Sequence, residues 1–192
     1  MTAAITVQAL SPASLPLFLQ FFDGKDTFAD NPRWSFCYCQ CFYEDHKVVK
    51  WTERTSEQNR ALACCRTEAA EMQGYVASDA ETGQPVGWCG AAPRRLLHAL
   101  DDEPVPDEAT VGFIVCFLVT PQRRGEGIAR ALLDAACEGL RQQGMTIAEG
   151  NPRPQAKTAA ENHFGPLALY LSAGFAVHRE DEDGSVFVRR AL

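Results

Sequence analysis

With 192 residues, 46% of them hydrophobic, the chain can bury one sizeable core, and a single domain over residues 1–192 is the expectation. A net charge of −7 argues against a general nucleic-acid binder, which needs a basic face for phosphates. No stretch approaches the about 18 apolar residues of a membrane span, and no basic segment followed by an apolar core opens the chain, so a soluble, cytoplasmic protein is expected. Its eight cysteines would then sit in a reducing compartment, where disulfides are rare.

Ala4 to Leu10 alternates well enough for a first strand. Ser11-Pro12 reads as a cap followed by proline at the first helical position. The helix it opens would turn Leu15, Leu17, Phe18, Phe21 and Phe22 to a core before Asp23-Gly24 ends it. Residues 26–54 are the least regular, and Asn31 to Tyr43 is dense in aromatic and sulfur side chains. If extended, this stretch sets Cys37, Cys39 and Cys41 on one face, opposite Phe36, Tyr38, Gln40 and Phe42. Zinc sites usually pair C-x-x-C-type units, whereas C-x-C-x-C on a strand points its thiols along a line. No metal is therefore expected, and the segment reads as a packed wall lining part of an acceptor cleft. Ser56 to Gln73 reads as a helix capped by Thr55 or Ser56 and stopped at Gly74, with Leu62, Cys65, Ala69 and Met72 as its buried stripe. Tyr75–Ser78 and Pro85–Ala91 pair as a hairpin across Glu81 to Gln84. Arg94 to Leu100 suggests a short helix, and the acidic Asp101 to Glu108 a loop, solvated or facing a cationic acceptor.

Val111 to Val119 is a nearly unbroken apolar run rich in β-branched and aromatic residues, hence a buried strand. Pro121 ends it. Ile128, Leu132, Leu133, Ala136 and Leu140 then recur at helical spacing until Gly144. Thr146–Glu149 is a strand, Asn151 to Pro154 a loop, and Phe164–Ala173 the last helix. Phe175–Arg179 and Val186–Arg190 close the sheet as a hairpin. Hairpins with one strand–helix–strand crossover make an α/β fold with a mixed sheet. Between the central strand and its helix lies Gln122-Arg123-Arg124-Gly125-Glu126-Gly127. A helix N-terminus presents unpaired N–H groups and partial positive charge to an anion, and glycines allow close approach. No P-loop sequence exists in the chain, and Arg130 stands where a dinucleotide fingerprint needs its third glycine.

Gln122, Gly125 and Gly127 fill the pattern Q/R-x-x-G-x-G/A behind a V-x-P ending at Pro121. With the strand before it, the helix after it and Leu169-Tyr170-Leu171-Ser172-Ala173-Gly174-Phe175 downstream, the chain resembles the GNAT superfamily of N-acetyltransferases over about residues 75 to 190. The resemblance implies one domain with a mixed, mostly antiparallel sheet flanked by helices and a V-shaped cleft between the central strands. Residues 75–192 would be the acetyl-CoA core and residues 1–74 the variable acceptor side. It implies acetyl-CoA as co-substrate, its diphosphate held by Gln122, Arg123, Arg124, Gly125, Glu126, Gly127, Ile128 and Ala129. Phe117, Leu118 and Val119 would hold the pantetheine and supply an oxyanion donor, and the family's CoA-contacting asparagine falls at His163, one residue after Asn162.

Acetyl transfer to an amine poses two proton problems: an ammonium of pKa ~10.4 must lose a proton, and the departing thiolate gains from one. The resemblance assigns the second task to Tyr170. The central strand carries no carboxylate from Phe113 to Val119, so Glu149 on the neighbouring strand is the expected base, with His163 or a water chain as alternatives. A nucleophilic Cys116 is disfavoured, because no cationic neighbour in sequence lowers its pKa. The reading is direct transfer to a primary amine, on a small molecule or a protein, with no nucleic-acid or membrane partner. The alternative is a non-catalytic acyl-CoA sensor or scaffold, and a homodimer stays open.

Overall fold

Seven strands form one sheet: β1 (Ile5–Ala9), β2 (Gly74–Asp79), β3 (Pro85–Pro93), β4 (Val111–Val119), β5 (Ile147–Gly150), β6 (Ala176–Glu180) and β7 (Val186–Ala191). Their order is β1-β2-β3-β4-β5-β7-β6. The structure is a computed structural model that describes residues 4–24, 27, 32–101, 105–158 and 162–192. Asn31 and residues 102–104 of the acidic loop lie outside the described residues. Every pairing is antiparallel except β4 with β5. A parallel pair cannot be joined by a tight turn, and the helix between them makes the crossover. The helices are α1 (Leu15–Asp23), α2 (Ser56–Glu68), α3 (Ile128–Gln142) and α4 (Leu167–Ser172). None among the described residues is long and apolar enough to cross a membrane.

The helical spacing in α3 sets Ile128, Leu132, Leu133, Ala136, Cys137 and Leu140 on one buried face, packed with Ile114, Ala148 and Val188. Burying each large aliphatic contributes about 1.5–3 kcal/mol, so the four in α3 alone supply about 6–12 kcal/mol, comparable with a domain's net stability. Phe18, Phe21 and Phe22 of α1 cover the opposite face with Trp88, Tyr38 and Phe113.

Three local expectations need correction. The first helix begins at Leu15 rather than Pro12: Ser14 Oγ donates to the Ala9 carbonyl at 2.7 Å, closing a turn before the helix. Pro16 is then the proline of the first turn, where its missing N–H costs nothing. Helix α2 stops at Glu68 and buries Asn59, Ala63 and Thr67, while Cys65 is exposed. Asn59 Nδ2 donates to the Phe36 carbonyl at 2.9 Å and Thr67 Oγ1 to the Ala63 carbonyl at 2.7 Å, so polar side chains occupy the inner face. The cysteine segment is not extended. Two 3-10 turns, Pro32–Phe36 and Cys41–Tyr43, flank a bend where Tyr38 and Cys39 have φ of 42° and 56°. The Tyr38 ring stacks on Phe22 and its hydroxyl donates to Asp23, which holds that bend.

The sheet opens where the chemistry is expected. β4 and β5 pair only from Val111–Ile147 to Ile114–Gly150. β4 then runs on to Val119 without β5 beside it. One extra residue, Val115, bulges from β4 where Gly90 pairs with Cys116 and Ala91 with Ile114.

Candidate active site

The loop after β4 joins it to α3 through two glycines. Gly125 and Gly127 have φ of 80° and 86°, a left-handed conformation that other residues adopt only with strain. Gly127 caps α3. The backbone N–H groups of Gly125 through Ala129 have no partner among the described residues, which leaves their partial positive charge unanswered. Arg123 braces the loop: its guanidinium reaches Glu126 at 2.7 Å and Asp79, at the β2–β3 hairpin, at 2.8 Å. The Thr82 amide and Arg123 hold the Asp79 carboxyl down at about 2. Arg124 Nε donates to the Val119 carbonyl at 3.1 Å.

A cavity of about 350 Å³ follows from this loop along the edge of β4, lined by Phe117, Leu118, Val119, Ile128, Asn162 and Leu169 among others. Strand alternation turns the backbone of Phe117 and Val119 to this open edge and that of Leu118 to β3. The Phe117 N–H donates to the His163 carbonyl at 2.6 Å, so the turn at 162–165 rests against the splayed strand. A second cavity of about 350 Å³ adjoins the first and shares Trp34 and Leu118 with it. Phe22, Phe36, Phe42, Trp51 and Phe164 line it, with the thiols of Cys37, Cys39, Cys41 and Cys116, and Arg153 and His163 at its rim. Burial pushes Cys37 up to about 12 and Cys41 up to about 11. The hydrogen bond to Cys39, together with burial, holds Cys116 well above an ordinary thiol. The thiols of Cys37, Cys41 and Cys116 therefore stay protonated and serve as small apolar groups, whereas the hydrogen bond from Cys116 lowers the pKa of the buried Cys39. Among the described residues no group of three or more His, Cys, Asp and Glu is arranged to hold a metal ion.

A sequence model described as the acetyltransferase (GNAT) family matches residues 31–165. The chain belongs to the GNAT acetyltransferase family. Solved structures share its fold at low identity. One is yncA, a putative acetyltransferase from Salmonella typhimurium with acetyl-CoA: 15% identity, 98% of this chain and 94% of that one covered, TM-score 0.58. Another is a GCN5-related N-acetyltransferase from Kribbella flavida: 23% identity, 98% of each chain covered, TM-score 0.56. A third is the paia N-acetyltransferase from Thermoplasma acidophilum in complex with coenzyme A: 12% identity, 98% and 99% covered, TM-score 0.56. No curated protein matches the sequence.

Within this GNAT fold, Phe117, Leu118, Val119, Arg123, Arg124, Gly125, Gly127, Ile128 and Ala129 all line the first cavity, whereas Gln122 and Glu126 do not. Asn162 lines it and His163 does not: the His163 ring packs on Phe164 and Trp34, toward the aromatic cavity. The residue of this turn that lines the first cavity is thus the asparagine one position before His163. Trp34, Arg130 and Leu169 were not foreseen at the first cavity. Only the aromatic density around Trp34 hinted at its place.

The two expected catalytic side chains are otherwise engaged. Glu149 is 2% exposed and lines neither cavity. Arg94 approaches one of its oxygens at 3.4 Å and Arg189 donates to the other, with Asp107 at 3.0 Å from Arg189. Both oxygens of this buried carboxylate thus face guanidiniums. Tyr170 is fully buried, with its ring edge-on to Phe117 and Phe175. Its hydroxyl donates to the Phe164 carbonyl at 2.8 Å, and burial holds the phenol well above its usual pKa. That bond fastens the 162–165 turn from behind.

Proposed function

We propose that this acetyltransferase moves an acetyl group from acetyl-CoA to a primary amine by direct attack. The observation that carries the reading is the junction of the two cavities at Leu118 and Trp34, one ending in unpaired loop amides and the other walled by aromatic rings. The amides of Gly125 to Ala129 receive the diphosphate, and the Phe117 carbonyl and the Val119 N–H are the backbone groups of the splayed edge that meet the pantetheine. His163 takes the proton from the amine, because among the described residues it is the one imidazole lining the aromatic cavity. Tyr170 acts as a positioning residue, fixing the turn that presents His163. The eight free thiols suit a reducing, cytoplasmic setting.

Thermal unfolding with acetyl-CoA, with ATP and NAD as controls, tests this reading. A ligand at ~100 times its Kd stabilises by about 2.7 kcal/mol, which is a rise of about 5–11 °C for a domain of this size. Release of free CoA in the presence of amines then reports turnover, and His163→Gln should lower kcat by about 100-fold or more with the thermal shift retained. No shift with saturating acetyl-CoA would refute the proposal.

A further inference from the structure

The aromatic cavity says more about the acceptor than the family does, provided that the proposed reaction holds. Its volume, about 350 Å³, falls at the lower end of the range of about 300–1,000 Å³ for small-molecule sites. Phe42 and Phe164 meet edge to face with centroids 5.8 Å apart, and Phe36 and Trp51 lie 5.5 Å apart at 42°. A further ring seated among them gains from offset and edge-on contact beyond simple burial; one side of Trp51 is taken by His46, and Phe164 also contacts His163 and Arg153.

Charge separates this cavity from one made for polycations. No carboxylate among the described residues lines it. Two acidic groups near the wall are matched: Glu44 lies 2.8 Å from Arg54 and 3.1 Å from Arg66, and Asp23 lies 3.2 Å from Arg60. The charged side chain at the rim is Arg153, its guanidinium 5.2 Å from the centre of the Phe164 ring. Asp183 lines the neighbouring polar cavity, which shares Arg153 and His163 with this one; it accepts from the Ser185 amide at 2.9 Å, and Ser185 together with the charge of Arg153 holds its carboxyl low. A second ammonium in the aromatic cavity would be desolvated beside a fixed positive charge and left unpaired.

We infer that the acceptor is a small aromatic monoamine, its ring seated among Phe36, Phe42, Trp51 and Phe164, with Arg153 selecting against a second positive charge. The amine end faces Leu118, where this cavity meets the one assigned to the thioester. The ring end lies toward Trp51.

Calorimetric titration of the CoA-saturated protein with phenethylamine and with spermidine, joined to initial rates with acetyl-CoA, tests the inference. Phenethylamine should bind at least about tenfold more tightly than spermidine and have the higher kcat/KM. Trp51→Leu and Phe42→Leu should each weaken phenethylamine about fivefold or more while leaving spermidine unchanged, and Arg153→Gln should narrow the gap by strengthening spermidine. The wild-type ranking decides even if a variant fails to fold. Spermidine binding as well as or better than phenethylamine, or neither amine binding, overturns the inference. If acetyl-CoA still raises Tm in that case, only the acceptor assignment falls. If acetyl-CoA does not bind, the proposed reaction falls first.

Discussion

Glu149 is the expected base and also the centre of a buried ion-pair cluster, and Glu149→Gln separates the two readings of it. The substitution keeps the side-chain volume but removes the negative charge that Arg94 and Arg189 share. Arg94 is 1% exposed, so its guanidinium cannot turn to water. Deleting one partner of a buried pair costs about 3–5 kcal/mol. At about 2–4 °C per kcal/mol for a domain of this size, Tm should fall by about 6–20 °C. Scanning calorimetry measures that drop, and initial acetylation rates taken well below the lowered Tm measure catalysis in the folded protein. Those rates should stay within about threefold of wild type, a change of less than 1 kcal/mol in the barrier. Adding Arg94→Met should recover part of the lost stability, because the buried guanidinium is then removed together with the carboxylate it faced, and Arg189 keeps Asp107. An unchanged Tm with a rate loss of about 100-fold or more would refute the structural role and return Glu149 to the chemistry.

Other outcomes follow from the same geometry. Gly127→Ala forces a Cβ onto a φ of 86° at about 1–2 kcal/mol, and if the loop shifts to relieve it, acetyl-CoA affinity measured by titration should fall about 5–30-fold. Tyr170→Phe leaves the Phe164 carbonyl without its donor, so Tm should fall by the equivalent of about 1–3 kcal/mol. Its kcat should fall less than tenfold, whereas a far larger loss at unchanged Tm would make Tyr170 the proton donor after all. Asp79 is held at about 2 in the folded chain against an ordinary 3.8. Its contribution to stability is therefore complete above about pH 4 and is lost as pH falls through about 2. Asp79→Asn should flatten that part of an acid-unfolding curve, and an unchanged acid limb would show that the Asp79–Arg123 brace does not matter.

The sequence was most readable where one local pattern outweighed everything else. β4 was legible as a nine-residue apolar run, and α3 as an i, i+4 stripe whose five chosen residues are all buried. The glycine loop was legible because only glycine adopts its backbone readily. The misses share a cause: a long-range partner decided the local conformation. Tyr38 and Cys39 enter the left-handed region because the Tyr38 ring and hydroxyl are held by α1. Helix α2 turns Asn59 inward because the Phe36 carbonyl needs a donor. Gly139 reads as a weak point in a helix, but a Cβ there would fall 1.6 Å from the Tyr75 hydroxyl, so its absence lets α3 approach β2. Glu149 and Tyr170 sit at the expected elements, but no spacing in sequence reveals that Arg94, Arg189 and the Phe164 carbonyl take up their polar atoms.

The hydrogen bond from the Phe117 amide to the His163 carbonyl bears on how the protein keeps to itself. A strand that outruns its neighbour offers a ready template for any extended chain, and proteins usually blunt such edges with charge, proline or a cover. Here the length of β4 that lacks β5 beside it is strongly apolar, and the turn at 162–165 is its cover. That turn comes close because Gly165 has φ of 86° and no Cβ, which would otherwise lie 2.9 Å from the Phe117 ring. A larger residue at position 165 would push the cover away and uncover a sticky strand. Such a variant should appear in expression trials as insoluble protein before any assay registers lost activity, because one small turn guards both the solubility of the chain and its reaction cleft.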